Sequence, residues 1–164
     1  MQYRLMAASE LAELDEFRNS GLILLRSDAA FTDLLGEIDE RVVCYQEETL
    51  RNGGCLLSDD ELIDLAWALG TLLGDQFVER LGWAWSLIGS EPAAKFGILS
   101  ANGALALYPS FFVRDCIANP SKDFTGYLIF NMVSEDRFSQ IPADTCLDLA
   151  DTVMRIVPRD RPSL

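Results

Sequence analysis

Asp59, Asp60, Glu61 and Asp64 form the densest group of carboxylates in the chain. Hard cations such as Mg²⁺ and Ca²⁺ take oxygen ligands of this kind. The spacing is not that of an EF-hand loop, however. Three of the four also fall in the first turn of an expected helix, where the positive end of the helix dipole favours carboxylates. A structural role accounts for them, and no metal site is expected. Asp39, Glu40, Glu47 and Glu48 read as the solvated side of a long helix rather than as a catalytic acid pair. The chain of 164 residues contains no histidine, which removes Ser/His/Asp and Cys/His nucleophile pairs and histidine-based metal centres together. Cys44, Cys55, Cys116 and Cys146 are widely spaced without a CxxC pair and read as structural, mostly buried thiols, Cys44 falling near the polar side of its helix. Gly53-Gly54 has neither a preceding strand nor a following lysine, so it is no phosphate-binding loop. The expectation is a protein without catalytic residues, metal or cofactor.

Charge points to partners instead. Thirteen basic against 26 acidic residues give a formal charge of -13, which disfavours nucleic acid, because phosphate contacts need clustered Lys and Arg, and disfavours anionic membranes likewise. An acidic field accelerates the encounter with a basic protein. Glu37, Glu40, Glu47, Glu48, Asp60 and Asp64 are the candidate contributors to such a partner surface. The other reading is a small-molecule-binding or sensory domain with an apolar pocket lined by Trp67, Trp83, Trp85 and Tyr108, since tryptophan supplies large contact area together with an N–H donor. No apolar run reaches the roughly 18 residues that span a bilayer. The N-terminus meets acidic residues before any sustained apolar core, so a cytoplasmic protein is expected.

The elements that must position these residues are organised around the stretch from Ser58 to Trp85. Ser58 with Glu61 makes a capping box. Leu62, Leu65, Ala66, Leu69, Leu72 and Leu73 share one side of the following helix, widened by Ile63, Trp67 and Phe77, and Asp64, Thr71, Asp75 and Glu79 are left as a narrow wet edge. Gly70 and Gly74 leave a groove where another backbone can approach. Arg80 and Gly82 close the helix.

Before it, Ser9 is read as capping a short helix that breaks at Gly21, with Gly21–Arg26 a strand or buried turn. A long amphipathic helix spans about Ala29 to Arg51, with Phe31, Leu34, Leu35, Ile38, Val42 and Tyr45 on one arc. After it, Trp83, Trp85 and Leu87 alternate as in a strand and share a face. Lys95–Ser100 and Ala104–Tyr108 read as two further strands joined by an Asn102-Gly103 type I′ turn, in which both central residues take positive φ. Ser110 is read as capping a helix that stops at Asn119-Pro120. Asp123 is read as capping a segment, helix in preference to strand, that places Phe124, Tyr127, Leu128 and Met132 inward. Pro142 is read as opening a last helix with Leu147, Ala150, Val153, Met154 and Val157 inward, stopped by Pro158.

The residues Leu65–Ile88 (LAWALGTLLGDQFVERLGWAWSLI) and Leu105–Ile117 (LALYPSFFVRDCI) together resemble an uncharacterised bacterial family, one of the domains of unknown function. In that pattern a helix closed by Leu-Gly leads to a tryptophan-bearing strand, a hairpin, and a strand that ends in proline before a helix. The resemblance implies an α+β fold and a bacterial source and brings no catalytic residues. In general character, small acidic chains of this kind also resemble immunity proteins, which neutralise toxins by binding them. The expected fold is therefore one α+β domain over residues 1–158, with a three-stranded antiparallel meander packed on a central helix, and a loose tail over 159–164.

Overall fold

The computed structural model describes residues 2–25, 34–90, 92–153 and 155–156. In chain order the elements are β1 (Tyr3–Leu5), α1 (Ala8–Leu25), α2 (Leu34–Asn52), α3 (Asp59–Leu81), β2 (Ala84–Ile88), β3 (Lys95–Leu99), β4 (Leu105–Leu107), α4 (Pro109–Ala118), β5 (Lys122–Asp123), α5 (Gly126–Ser134), β6 (Leu147–Asp148), α6 (Leu149–Val153) and β7 (Arg155–Ile156). This is an α+β fold. The expected antiparallel meander is its middle part: β2, β3 and β4 pair in succession, β1 adds an antiparallel edge beside β2, and β6 adds a parallel one beside β4. A separate two-stranded ribbon joins β5 to β7.

Helix α3 is the centre of the core. Its start carries the full capping box: the Glu61 amide donates to the Ser58 hydroxyl, and the Glu61 carboxylate accepts from the Ser58 amide at 2.8 Å. Its end turns into the left-handed region at Gly82, φ 69°, which glycine adopts without a Cβ penalty. Every residue from Ala68 to Phe77 is buried. The wet edge is accordingly narrower than expected. Asp64 and Glu79 are exposed, but Thr71 and Asp75 are buried, because α1 and the sheet close over them. Asp75 accepts from Nε of Arg18 at 2.6 Å and from the indole Nε1 of Trp85 at 3.0 Å, so this carboxylate ties α1, α3 and β2 together.

Trp83 and Trp85 are both buried, but only Trp85 belongs to β2; Trp83 precedes the strand, in the link from Gly82. Gly70 and Gly74 do what a missing Cβ allows: α4 approaches so closely that a Cβ on Gly70 would meet Ser110 Cα at 2.6 Å, and one on Gly74 would meet the Trp85 ring at 2.4 Å.

The flanking helices correct several expectations. Helix α1 runs through Gly21 to Leu25 instead of breaking there, because Gly21 is a contact point in which a Cβ would lie 2.6 Å from the Ala68 carbonyl. The stretch from Gly21 to Leu25 is thus helix and not strand; Arg26 and the first turn expected of the next helix, Ala29 to Phe31 included, lie outside the described residues. Asn102 does not take positive φ, so the β3–β4 turn is not type I′. Only Gly103 does, at 67°, and a four-residue loop is held by the Gly103 amide donating to the Ser100 carbonyl at 2.8 Å. Pro109 occupies the first turn of α4 with Tyr108 at its cap, so Ser110 does not cap it. The segment after Asp123 is a helix, but its inner face is Gly126, Ile129 and Phe130, leaving Tyr127 and Leu128 exposed. Asp123 belongs to β5 and Thr125 stands at the cap position. Pro142 opens no helix; the chain enters the sheet at Leu147–Asp148, where β6 pairs with β4, and α6 is only five residues long. Met154, Val157, Pro158 and the expected tail lie outside the described residues.

Asp39 is not a solvated side chain. It comes from α2 to the start of α5, where its carboxylate accepts the Tyr127 amide, and burial pushes its pKa from the ordinary 3.8 up to about 7, with the neighbouring Asp123 charge adding to the rise. Because the folded value lies above the unfolded one, the contribution to stability is complete below about pH 4 and is lost as pH rises through about 7. Asp39→Asn keeps an acceptor for the amide and removes the titration. Urea melts between pH 4 and 8 should therefore lose a component of about 1–2 kcal/mol in the variant, less than the full linkage value because water still screens part of the carboxyl.

Candidate functional site

An open surface cleft of about 710 Å³ lies beside the end of the sheet. Its walls come from four segments. The β2–β3 end supplies Ile88, Ala93 and Lys95; Tyr108 and α4 supply Phe111, Phe112, Arg114, Asp115 and Cys116; β5 supplies Lys122 and Asp123; and the β6–α6 corner supplies Asp148, Ala150 and Asp151. Local pairing explains why these segments converge. The register Ile88 to Lys95 puts two wall residues side by side, and Ala106 to Asp148 brings β6 next to β4 two residues before Tyr108. Behind the wall, the buried amide of Gln46 donates to the carbonyls of Cys116 at 2.8 Å and Lys122 at 2.7 Å, fixing α4 against β5. The Phe112 and Phe124 rings stack at 4.9 Å on the same side.

The charged groups have distinct environments. Lys122 is held by Asp115, which raises the lysine pKa, and Asp115 also accepts from Asn119 Nδ2 at 2.7 Å. Lys95 lies over the Phe111 ring, 5.2 Å from its centroid. Asp148 accepts the Ala150 amide at 3.0 Å. Burial, with the nearby Asp151 charge, raises its pKa, while Lys95 opposes the rise. The Tyr108 hydroxyl is raised by burial and then by Asp148. Burial pushes the Cys116 thiol up to about 12, so it stays protonated and is no nucleophile at neutral pH. Among the described residues no group of three or more Cys, Asp or Glu is placed to hold a metal ion. The arrangement offers recognition: aromatic surface, fixed carboxylates and cations around one opening.

The candidate residues read from sequence are not brought into this cleft, with one exception. Glu40, Glu47 and Glu48 are exposed on α2, and Asp60 and Asp64 are exposed near the start of α3. Glu37 is half-buried, one of its oxygens shut off from water. Tyr108 lines the cleft, whereas Trp67 lines a second notch of about 220 Å³ together with Ile63, Ala66 and Ser110. Phe111 and Arg114 border both openings. Trp83 and Trp85 lie in the core, on neither cavity's wall. The four aromatics therefore do not enclose one pocket, because the sheet turns the tryptophan face toward α3. The wall residues Arg114, Asp148 and Asp151 were missed; only the strand-ending proline after Tyr108 signalled that a helix begins there. Of the four cysteines, Cys116 and Cys146 are buried, Cys55 is half-buried and Cys44 is exposed, and all are free thiols.

An α+β protein with an open, mixed-charge cleft at the sheet end is the class that fold and site define. No protein-family model, curated protein or solved structure matches the chain. No helix among the described residues is long and apolar enough to cross a membrane.

Proposed function

We propose that this chain is a non-enzymatic, acidic binding module whose partner is a basic protein. The observation that carries the reading is the placement of Glu40, Glu47 and Glu48 on the exposed side of α2, whose opposite side, Leu35, Ile38 and Val42, is core. Those glutamates extend along about 12 Å of helix, and Asp60 and Asp64 are exposed at the start of α3. In a chain of net charge -13, such a surface steers a cationic partner and speeds encounter more than it tightens the final complex. A toxin with a basic active site is the partner that the immunity-protein reading names, with the cytoplasm as the place of action.

The product of the adjacent gene, purified and titrated against this protein, tests the reading. Association should slow as salt rises, and the triple variant Glu40→Lys, Glu47→Lys, Glu48→Lys should lower the association rate by about tenfold or more. A salt-insensitive association, or one untouched by the triple variant, would refute the electrostatic surface.

The cleft favours a second reading, a small-molecule-binding domain, because its volume of about 710 Å³ falls in the range of roughly 300–1,000 Å³ common to ligand sites. A ligand of the folded state would raise its melting temperature.

A further inference from the structure

We propose that the cleft holds a zwitterionic small molecule, an α-amino acid or short peptide, its ammonium group against Asp148 and Asp151 and its carboxylate against Arg114 and Lys95. The proposal rests on the small-molecule reading and narrows it to one ligand chemistry.

The charge pattern around the opening carries the argument. Among the described residues, Arg114, Asp148 and Asp151 form no ion pair within 4.0 Å, although all three line the same cavity. Lys122 is already matched by Asp115. Lys95, at the start of β3, is set over the Phe111 ring of α4, so its charge and that of Arg114 both border the cleft. The carboxylates of Asp148 and Asp151 come from the β6–α6 corner. Asp148 is further pinned by the Ala150 amide and cannot swing freely to a cation.

Charges of both signs on separate elements of one cavity, with Lys95 in the field of Asp148 but in no ion pair with it, favour a ligand carrying both signs. A plain amine would leave Arg114 and Lys95 facing it with like charge, and a plain carboxylate would meet Asp148 and Asp151 in the same way. The apolar share of the ligand has its own bed in the rings of Tyr108 and Phe111, which meet edge to face at 6.5 Å. Phe111 is 43% exposed, so part of its ring is open to a ligand in the cleft.

Four probes decide the matter by thermal shift and calorimetry: L-phenylalanine, L-leucyl-L-phenylalanine, phenethylamine and 3-phenylpropionate. At least one of the two zwitterions should raise the melting temperature by about 2 °C or more at ~10 mM, with the single-charge analogues giving under a third of that shift. The amino acid against the dipeptide distinguishes a free amino acid from a peptide. Asp151→Asn and Arg114→Gln, both at exposed positions, should each weaken zwitterion binding at least about fivefold without changing the unliganded melting temperature. Equal shifts from a single-charge analogue, or zwitterion binding unaffected by either variant, would overturn the proposal. No shift from any of the four overturns it too. A shift from an uncharged metabolite in the same plate would leave the broader small-molecule reading standing without it.

Discussion

Asp75→Ala is expected to destabilise the fold by about 2–3 kcal/mol, below the range for a fully buried ion pair because Arg18 stays one-third exposed. The carboxylate receives three bonds from two elements: Arg18 Nε at 2.6 Å, Arg18 Nη2 at 3.2 Å and Trp85 Nε1 at 3.0 Å. Truncation leaves a buried indole N–H without an acceptor and strands the guanidinium with only the exposed Asp15. Each orphaned donor costs more than its bond contributed net. Asp75→Asn keeps one acceptor of the same shape and should cost about half as much or less. Urea melts followed by tryptophan fluorescence measure both variants. A cycle with Arg18→Met should give a coupling of about 1–3 kcal/mol. Equal losses for Ala and Asn would mean that shape, and not hydrogen bonding, sets the requirement.

Gly70→Ala should cost about 2–3 kcal/mol, the reverse of the gain of about 1 kcal/mol that alanine ordinarily brings to a helix interior. The added Cβ would fall 2.6 Å from both Cα and N of Ser110 and 2.9 Å from the Pro109 carbonyl carbon, all main-chain atoms at the first turn of α4. Backbone cannot rotate away as a side chain can, so α4 has to move bodily. Gly36→Ala is the matched control, since nothing lies within 4 Å of its Cβ position on α2; it should stabilise by up to about 1 kcal/mol. Because α4 carries Phe111, Arg114 and Asp115, the same displacement should also alter the cleft. Calorimetric melts of the two glycine variants would settle the signs.

What could be read from the sequence was local. The start of α3 is written in Ser58 and Glu61, its end in Gly82, and the burial of Trp83 and Trp85 in the change of period after Gly82. Each signal acts over a few residues, so no tertiary information is needed. Gly21 misled because its role depends on the Ala68 carbonyl, 47 positions away in the chain and invisible to a helical pattern. Pro142 misled because the residues after it are recruited by the open side of β4, and strand pairing overrides a good helix-opening residue. Asp39 and Asp75 looked solvated by helical arithmetic alone, and only the packing of α5 and of α1 removes them from water. The cleft was illegible for the strongest reason: its walls come from four segments whose meeting depends on that late return of the chain to the sheet.

Strand β1 is three residues long, yet it shields the open side of β2, pairing Tyr3, Arg4 and Leu5 with Ile88, Leu87 and Ser86, while the Met6 amide donates to Trp85. A bulky fusion or surface tether ahead of it, pulling those residues away, would strip main-chain donors and acceptors beside three buried side chains. Bare borders of that kind recruit foreign strands and seed polymers. Dyes and immobilisation handles therefore belong on the exposed Asn52–Gly54 turn, where they leave this seam closed.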